Sequence, residues 1–353
     1  MTIQWPTDEL VKKIFVSFIV AGFVIGIATT PPPIDSVGAS ASTSTSINTA
    51  VESESTNTTG ASASQTGGKT NSPSTSSTTS TTQTSTTRTQ SVPTQRERTI
   101  QPGASLVYVA LGDSVASGAG LSEAANASAE DQVCDRSPQA YPYLIAQQLQ
   151  TDVTHLACSG AKIDEGIYSE QRRSGTEIPV QLDRAFINGT PDVITMTIGA
   201  NDVRWTSFIR QCYAVRCGSS IDEARAKIYR GDLRLELYRA LNQIEQRSDT
   251  TPPRVLLSGY YDPFVNLDCV AVDRITMTEA AWLRQQSADL NQAIRSVVPY
   301  FDFVEYVPIS FAGHELCAES SWIQGADGEA PFHPTAEGQA AIAEAFLNRL
   351  QTR

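Results

Sequence analysis

From about Val37 to Gln95 the chain is almost entirely Ser, Thr, Ala, Asn and Gly, as in SPSTSSTTSTTQTSTT, with hardly a bulky apolar side chain. Nothing in such a segment can be buried to offset the entropy of ordering it, so it is expected to be disordered. It reads as a solvated stalk, open to O-glycosylation. Folding is thereby confined to residues 104–353, which suffice for one domain with a sizeable core. Charge breaks at the same place. Residues 1–103 hold six acids and six bases, so the formal net charge of −12 on the 353-residue chain belongs to residues 104–353. All six cysteines lie there too. An acidic domain has little with which to neutralise phosphates, so no nucleic-acid partner is expected.

Lys12 and Lys13 precede an uncharged apolar run, Ile14–Ala28. A membrane span needs about 20 such residues, and the run is shorter, as in the core of an export signal. Gly26 and Ala28 are small residues of the kind a signal peptidase reads. Residues 1–28 are therefore a signal peptide or a signal anchor, and residues 29–103 a Ser/Thr-rich linker. Under either reading residues 104–353 lie outside the cytoplasm, secreted or held at the cell surface through residues 14–28.

Beyond Ala104, apolar runs alternate with helical patterns. Ser105–Leu111, Val153–Ala157, Asp192–Ile198, Arg254–Ser258 and Phe301–Pro308 read as strands. Ala140–Gln150, Gln181–Ile187, Ile221–Arg247 (one helix or two), Thr278–Val298 and Thr335–Leu350 read as helices. This alternation predicts an α/β domain with a central parallel sheet between two helical layers. Ligands of such sheets sit at the carboxyl ends of the strands.

Four short motifs fall at those ends. Gly112-Asp113-Ser114 follows the first strand and presents a hydroxyl at a turn. Cys158-Ser159-Gly160-Ala161 follows the second, where a glycine lets backbone N–H approach a substrate. Gly199-Ala200-Asn201-Asp202 follows the third, and an Asn amide can donate to a developing oxyanion. Phe332-His333-Pro334 precedes the last helix, and Pro334 keeps His333 out of helical backbone space. Each motif alone is ordinary turn chemistry. Of the two other histidines, His155 falls in a strand and reads as structural, and His314 as a packing or hydrogen-bonding residue.

The four motifs in this order resemble the SGNH (GDSL) hydrolases, over roughly Ser105 to Arg353. Cys134-Asp135-Arg136-Ser137, Gly259-Tyr260-Tyr261-Asp262-Pro263 and Phe311-Ala312-Gly313-His314-Glu315 are similar to the secreted actinobacterial lipase and phospholipase branch of that family. The resemblance implies a three-layer, flavodoxin-like SGNH fold for residues 104–353 and a serine ester hydrolase needing no metal or cofactor. It makes Ser114 the nucleophile and His333 the general base. The oxyanion hole becomes the N–H of Ser114, the N–H of Gly160 and the side-chain amide of Asn201. The family places an Asp three residues before the histidine, where this chain has Ala330. The secreted branch implies that the Ala330 carbonyl orients His333 instead, with Asp327 and Glu329 as rivals. It also implies three disulfides, Cys134–Cys158, Cys212–Cys217 and Cys269–Cys317, against a zinc site as the alternative.

The expected substrate is an ester: a lipid, a short acyl ester or an O-acetylated glycan. A polysaccharide O-acetylesterase and a non-catalytic glycan-binding module on the same fold are the rival readings. A monomer is the default.

Overall fold

The computed structural model describes residues 106–266 and 275–351. The expected signal (1–28), all of the expected linker (29–103) and Cys269 lie outside these residues. In chain order, β1 (Tyr108–Gly112) and β2 (Val153–His155) are followed by β3 (Gln171–Arg173) and β4 (Thr176–Ile178). Then come β5 (Val193–Thr197), β6 (Arg254–Ser258) and β7 (Val304–Val307). β3 and β4 pair off as an antiparallel hairpin. The others form one parallel sheet in the order β2-β1-β5-β6-β7. β1, β5 and β6 are buried at every position. That is why they read as unbroken apolar runs rather than alternating ones: both faces of a parallel sheet are covered.

The cover comes from helices. These are α1 (Ser114–Ser117), α2 (Ala129–Val133), α3 (Tyr141–Leu149), α4 (Gln181–Ala185), α5 (Trp205–Ala214), α6 (Ser220–Arg247), α7 (Met277–Val297) and α8 (Ala336–Gln351). α6 is a single helix of 28 residues, opened by a capping box between Ser219 and Asp222. α7 opens the same way, with Thr276 and Glu279. Crossovers between parallel strands are right-handed. The chain runs one way from β1 to β2 through α3, and the other way from β5 to β7 through α6 and α7. The two sets of helices therefore cover opposite faces of the sheet. α8 returns to pack on α3, where Tyr141 stacks on Phe346 with ring centroids 4.9 Å apart. Both rings are fully buried, and truncating either would cost about 3–5 kcal/mol. The direction of winding reverses beside β1, which opens a crevice at its carboxyl end.

Several elements escape the sequence reading, the short helix α2 among them. The β3–β4 hairpin is short and polar, and its only mark is Ser174-Gly175, both with positive φ. α5 was not anticipated; only Phe208, Ile209 and Cys212 on it are buried.

Disulfides join Cys134 to Cys158 and Cys212 to Cys217. Cys317 is also disulfide-bonded. Among the described residues no group of His, Cys, Asp and Glu side chains is arranged to hold a metal, and no helix is long and apolar enough to cross a membrane.

Candidate active site

The turn after β1 is built around Gly112. Its φ is +143°, and a Cβ there would lie 2.3 Å from the Thr197 carbonyl oxygen, so only glycine fits. Asp113 then caps α1, its carboxylate accepting the Val115 N–H at 3.0 Å. Ser114 is thereby the first residue of a four-residue helix at the crevice. Side chains from distant elements pin that helix. His155 Nε2–H donates to the Ala116 carbonyl at 3.0 Å, and Gln339 Nε2–H donates to the Val115 carbonyl at 2.9 Å. Burial holds the His155 pKa down to about 3, so it stays neutral and structural.

His333 arrives on a turn from Ala330 to His333, closed by the His333 N–H on the Ala330 carbonyl at 3.1 Å. Pro331 at its second position and Phe332 at its third, with φ +66°, match type II turn chemistry. The strained Phe332 is held from outside. Its carbonyl accepts the Tyr261 hydroxyl at 2.6 Å, and its N–H donates to Gln324. The imidazole Nε2 then lies 2.7 Å from Ser114 Oγ.

Nδ1 lies 3.1 Å from the Pro331 carbonyl. The Pro331 carbonyl is one residue along from the expected Ala330 carbonyl, which accepts the main-chain N–H that closes the turn and also acts on the ring. Asp327 and Glu329 make no hydrogen bond to the ring among the described residues. A carbonyl only accepts, so Nδ1 carries the proton and Nε2 is left to accept from Ser114. Burial lowers the His333 pKa; the Pro331 carbonyl, the Asp135 charge and the Ala330 carbonyl oppose this, in falling order.

The second and third loops meet beside this pair. Gly160 takes φ +80° and is exposed. Among the described residues its N–H and that of Ser114 have no hydrogen-bond acceptor. Asn201 lines the pocket that also holds Ser114 and His333, and its amide donates to the Ala161 carbonyl at 2.9 Å. One amide hydrogen of Asn201 remains for a ligand. Asp202 accepts the Ile163 N–H at 3.0 Å. Asn201 and Asp202 thus grip the loop that carries Gly160, while Gly160 itself lies outside the pocket lining. The Cys134–Cys158 disulfide grips that loop from its other end.

Two carboxyls beside the site are strongly perturbed. Burial pushes Asp113 up to about 7, although Tyr260 O–H donates to it. Burial likewise pushes Asp202 up to about 6, and its Oδ2 has no partner among the described residues. The Tyr260 hydroxyl also accepts the Ala200 N–H at 3.1 Å, tying β6's end to the Asn201 loop. Tyr260 and Tyr261 were singled out in the sequence only by resemblance. Their position just past a strand end was the available signal. His314 stacks on Trp322 with centroids 3.7 Å apart, as a packing residue does.

The pocket wall is mostly apolar, with Trp205, Ile209 and Tyr213 from α5, Leu290 from α7, and Phe332. A hydroxyl facing a neutral imidazole, beside unpaired N–H donors and an apolar cleft, can attack an acyl carbon and hold the resulting charge.

The model of the GDSL-like Lipase/Acylhydrolase family matches residues 110–341. A lipase of Streptomyces rimosus is 31% identical over 240 residues, covering 66% of this chain and 82% of that protein. The solved extracellular lipase from Streptomyces rimosus superposes with a TM-score of 0.56 at 26% identity, covering 69% of this chain and 99% of that one. Phospholipase A1 from Streptomyces albidoflavus superposes with a TM-score of 0.55 at 26% identity and the same coverage.

Proposed function

Because the chain belongs to the GDSL-like lipase/acylhydrolase family and is an ester hydrolase, we propose that it cleaves acyl esters outside the cell through a covalent acyl group on Ser114. His333 takes the Ser114 proton as Oγ attacks the ester carbonyl. The tetrahedral oxyanion is met by the N–H groups of Ser114 and Gly160 and by the Asn201 amide. The protonated imidazole gives its proton to the departing alcohol, and the acyl group stays on Oγ. Water, activated by the same imidazole, then releases the acid and restores the serine. The Pro331 carbonyl keeps the imidazole in the tautomer this needs. One observation carries the reading: His333 Nε2 stands 2.7 Å from Ser114 Oγ.

The apolar walls of Trp205, Ile209, Leu290 and Phe332 favour an aliphatic acyl chain over the acetyl group of a glycan. Residues 1–28 are proposed as the export segment, residues 29–103 as a spacer and residues 104–353 as the catalytic domain. Disulfides support the extracellular reading. The test is hydrolysis of p-nitrophenyl esters of increasing chain length. Turnover that rises beyond acetate, is blocked by a serine-reactive phosphonate and vanishes in Ser114→Ala supports the proposal. Turnover surviving in Ser114→Ala overturns it.

A further inference from the structure

α6 is apolar on two opposite sides. Ala226, Leu233, Leu237, Leu241 and Ile244 face the interior and are buried. On the other side, Ile221, Ala224, Ile228, Gly231, Leu235 and Tyr238 recur at alternating steps of three and four, which places them in one stripe along the helix. Ile221 is 63% exposed, Ile228 61%, Leu235 49% and Tyr238 42%. Scattered single apolar residues on a surface need no explanation, but an ordered row along a helix does. At its first turn α6 meets α5, the helix that walls the pocket, through Gln211 Nε2–H donating to Asp222 at 2.9 Å. At the far end of the row, exposed Tyr300 packs edge-on against Tyr238 with centroids 5.7 Å apart.

One border of the stripe is cationic within an acidic domain: Lys227 and Arg234 are exposed there and make no ion pair among the described residues. On the other border Arg225 pairs with Asp222 and Arg239 with Glu236, and Asp232 is exposed; Glu223, also exposed, is bound to Arg230. Apolar side chains beside a basic border, with a tyrosine pair at one end, form the pattern of a helix lying in the headgroup region of an anionic lipid layer.

We propose that the outer face of α6 docks on an anionic lipid surface, bringing the α5 wall of the pocket to the layer that holds the ester. This rests on the lipid-ester reading of the Ser114 site, and it adds the physical state in which the substrate is met. The full chain carrying Leu235→Cys is labelled with an environment-sensitive fluorophore and mixed with phosphatidylglycerol/phosphatidylcholine vesicles. The exposed Ile187→Cys, labelled in the same way, is the control. The expected result is a blue shift, quenched by brominated lipid, at position 235 and not at 187. Adding Lys227→Glu and Arg234→Glu should raise the lipid needed for half the shift by about tenfold or more. No shift at 235, an equal shift at 187, or a shift without vesicles that grows with protein concentration overturns the proposal. The last result would mark the stripe as a self-association face. Turnover of a soluble short-chain ester by the same proteins is read separately. Its absence would sink the Ser114 reading and leave the docking result standing.

Discussion

The carbonyl of Pro331 faces Nδ1 of His333 at 3.1 Å, in the place where serine hydrolases often put a carboxylate. The ring is thus oriented by a neutral group belonging to its own turn. Its aim depends on Phe332 staying in the left-handed region, which Tyr261 and Gln324 enforce. Asp327→Asn and Glu329→Gln should therefore leave kcat within a few fold of the parent. Loss of a true triad carboxylate costs about 10⁴. Steady-state rates on a soluble ester check this, and a fall of that size in either variant would contradict it.

The oxyanion site makes a graded prediction. Asn201→Ala should lower kcat by about 10²–10³ with little change in KM, because its amide acts chiefly as charge develops. Asp202→Ala should act through the Ile163 N–H it holds. It should weaken a trifluoromethyl ketone that mimics the tetrahedral state by roughly tenfold or more, and bind substrate nearly as before. Asp202→Asn keeps an acceptor oxygen and should recover most of the loss. Equal weakening of substrate and analogue by Asp202→Ala would refute the positioning role.

The pH profile follows from His333. Only the neutral imidazole accepts the Ser114 proton, and burial moves the ring's pKa below its ordinary 6.5. Activity should persist as pH falls through 6.5 and decline only at lower pH. The acid limb of kcat/KM, measured between pH 4 and 8, locates it; a limb at or above 7 that survives in Asp113→Asn would contradict the assignment.

Asp113 should leave its mark on stability. Its folded pKa of about 7 stands above the ordinary 3.8 of an Asp, so between these values the native state holds a proton that the unfolded chain has released. This group's contribution is most favourable below pH 3.8 and is lost as pH rises through 7. Asn mimics the neutral acid. In Asp113→Asn the drop in Tm between pH 5 and pH 8 should be smaller than in the parent; thermal melts at the two pH values decide it, and an unchanged drop rejects the idea.

Much of the framework was legible because burial on both faces writes an unmistakable pattern. The strands around Val193 and Arg254, each ending at a glycine, appear within a residue or two of where the apolar runs place them. Ser114 and His333 were visible as residues stranded at strand ends and helix entrances. The acceptor for His333 was not. Which of two adjacent carbonyls faces a ring depends on the turn type, and Phe332 gives no sign of a positive φ as glycine would. The pair of Asp113 with Tyr260 is 147 residues apart and depends on β1 and β6 converging beside β5, which no local pattern reports. α5 was missed although Phe208, Ile209 and Cys212 recur at helical spacing on its buried face, in a segment of only ten residues.

Gln339 ties the last helix to the first. Its amide accepts the Tyr141 N–H and donates to the Val115 carbonyl. During synthesis the serine leaves the ribosome long before the histidine and this glutamine follow it. A partly made chain would carry the reactive hydroxyl with no base and no bolt, and so would be chemically inert until its closing segment docks. Activity in a cell-free translation would then report completion of the fold, and not merely the presence of the serine.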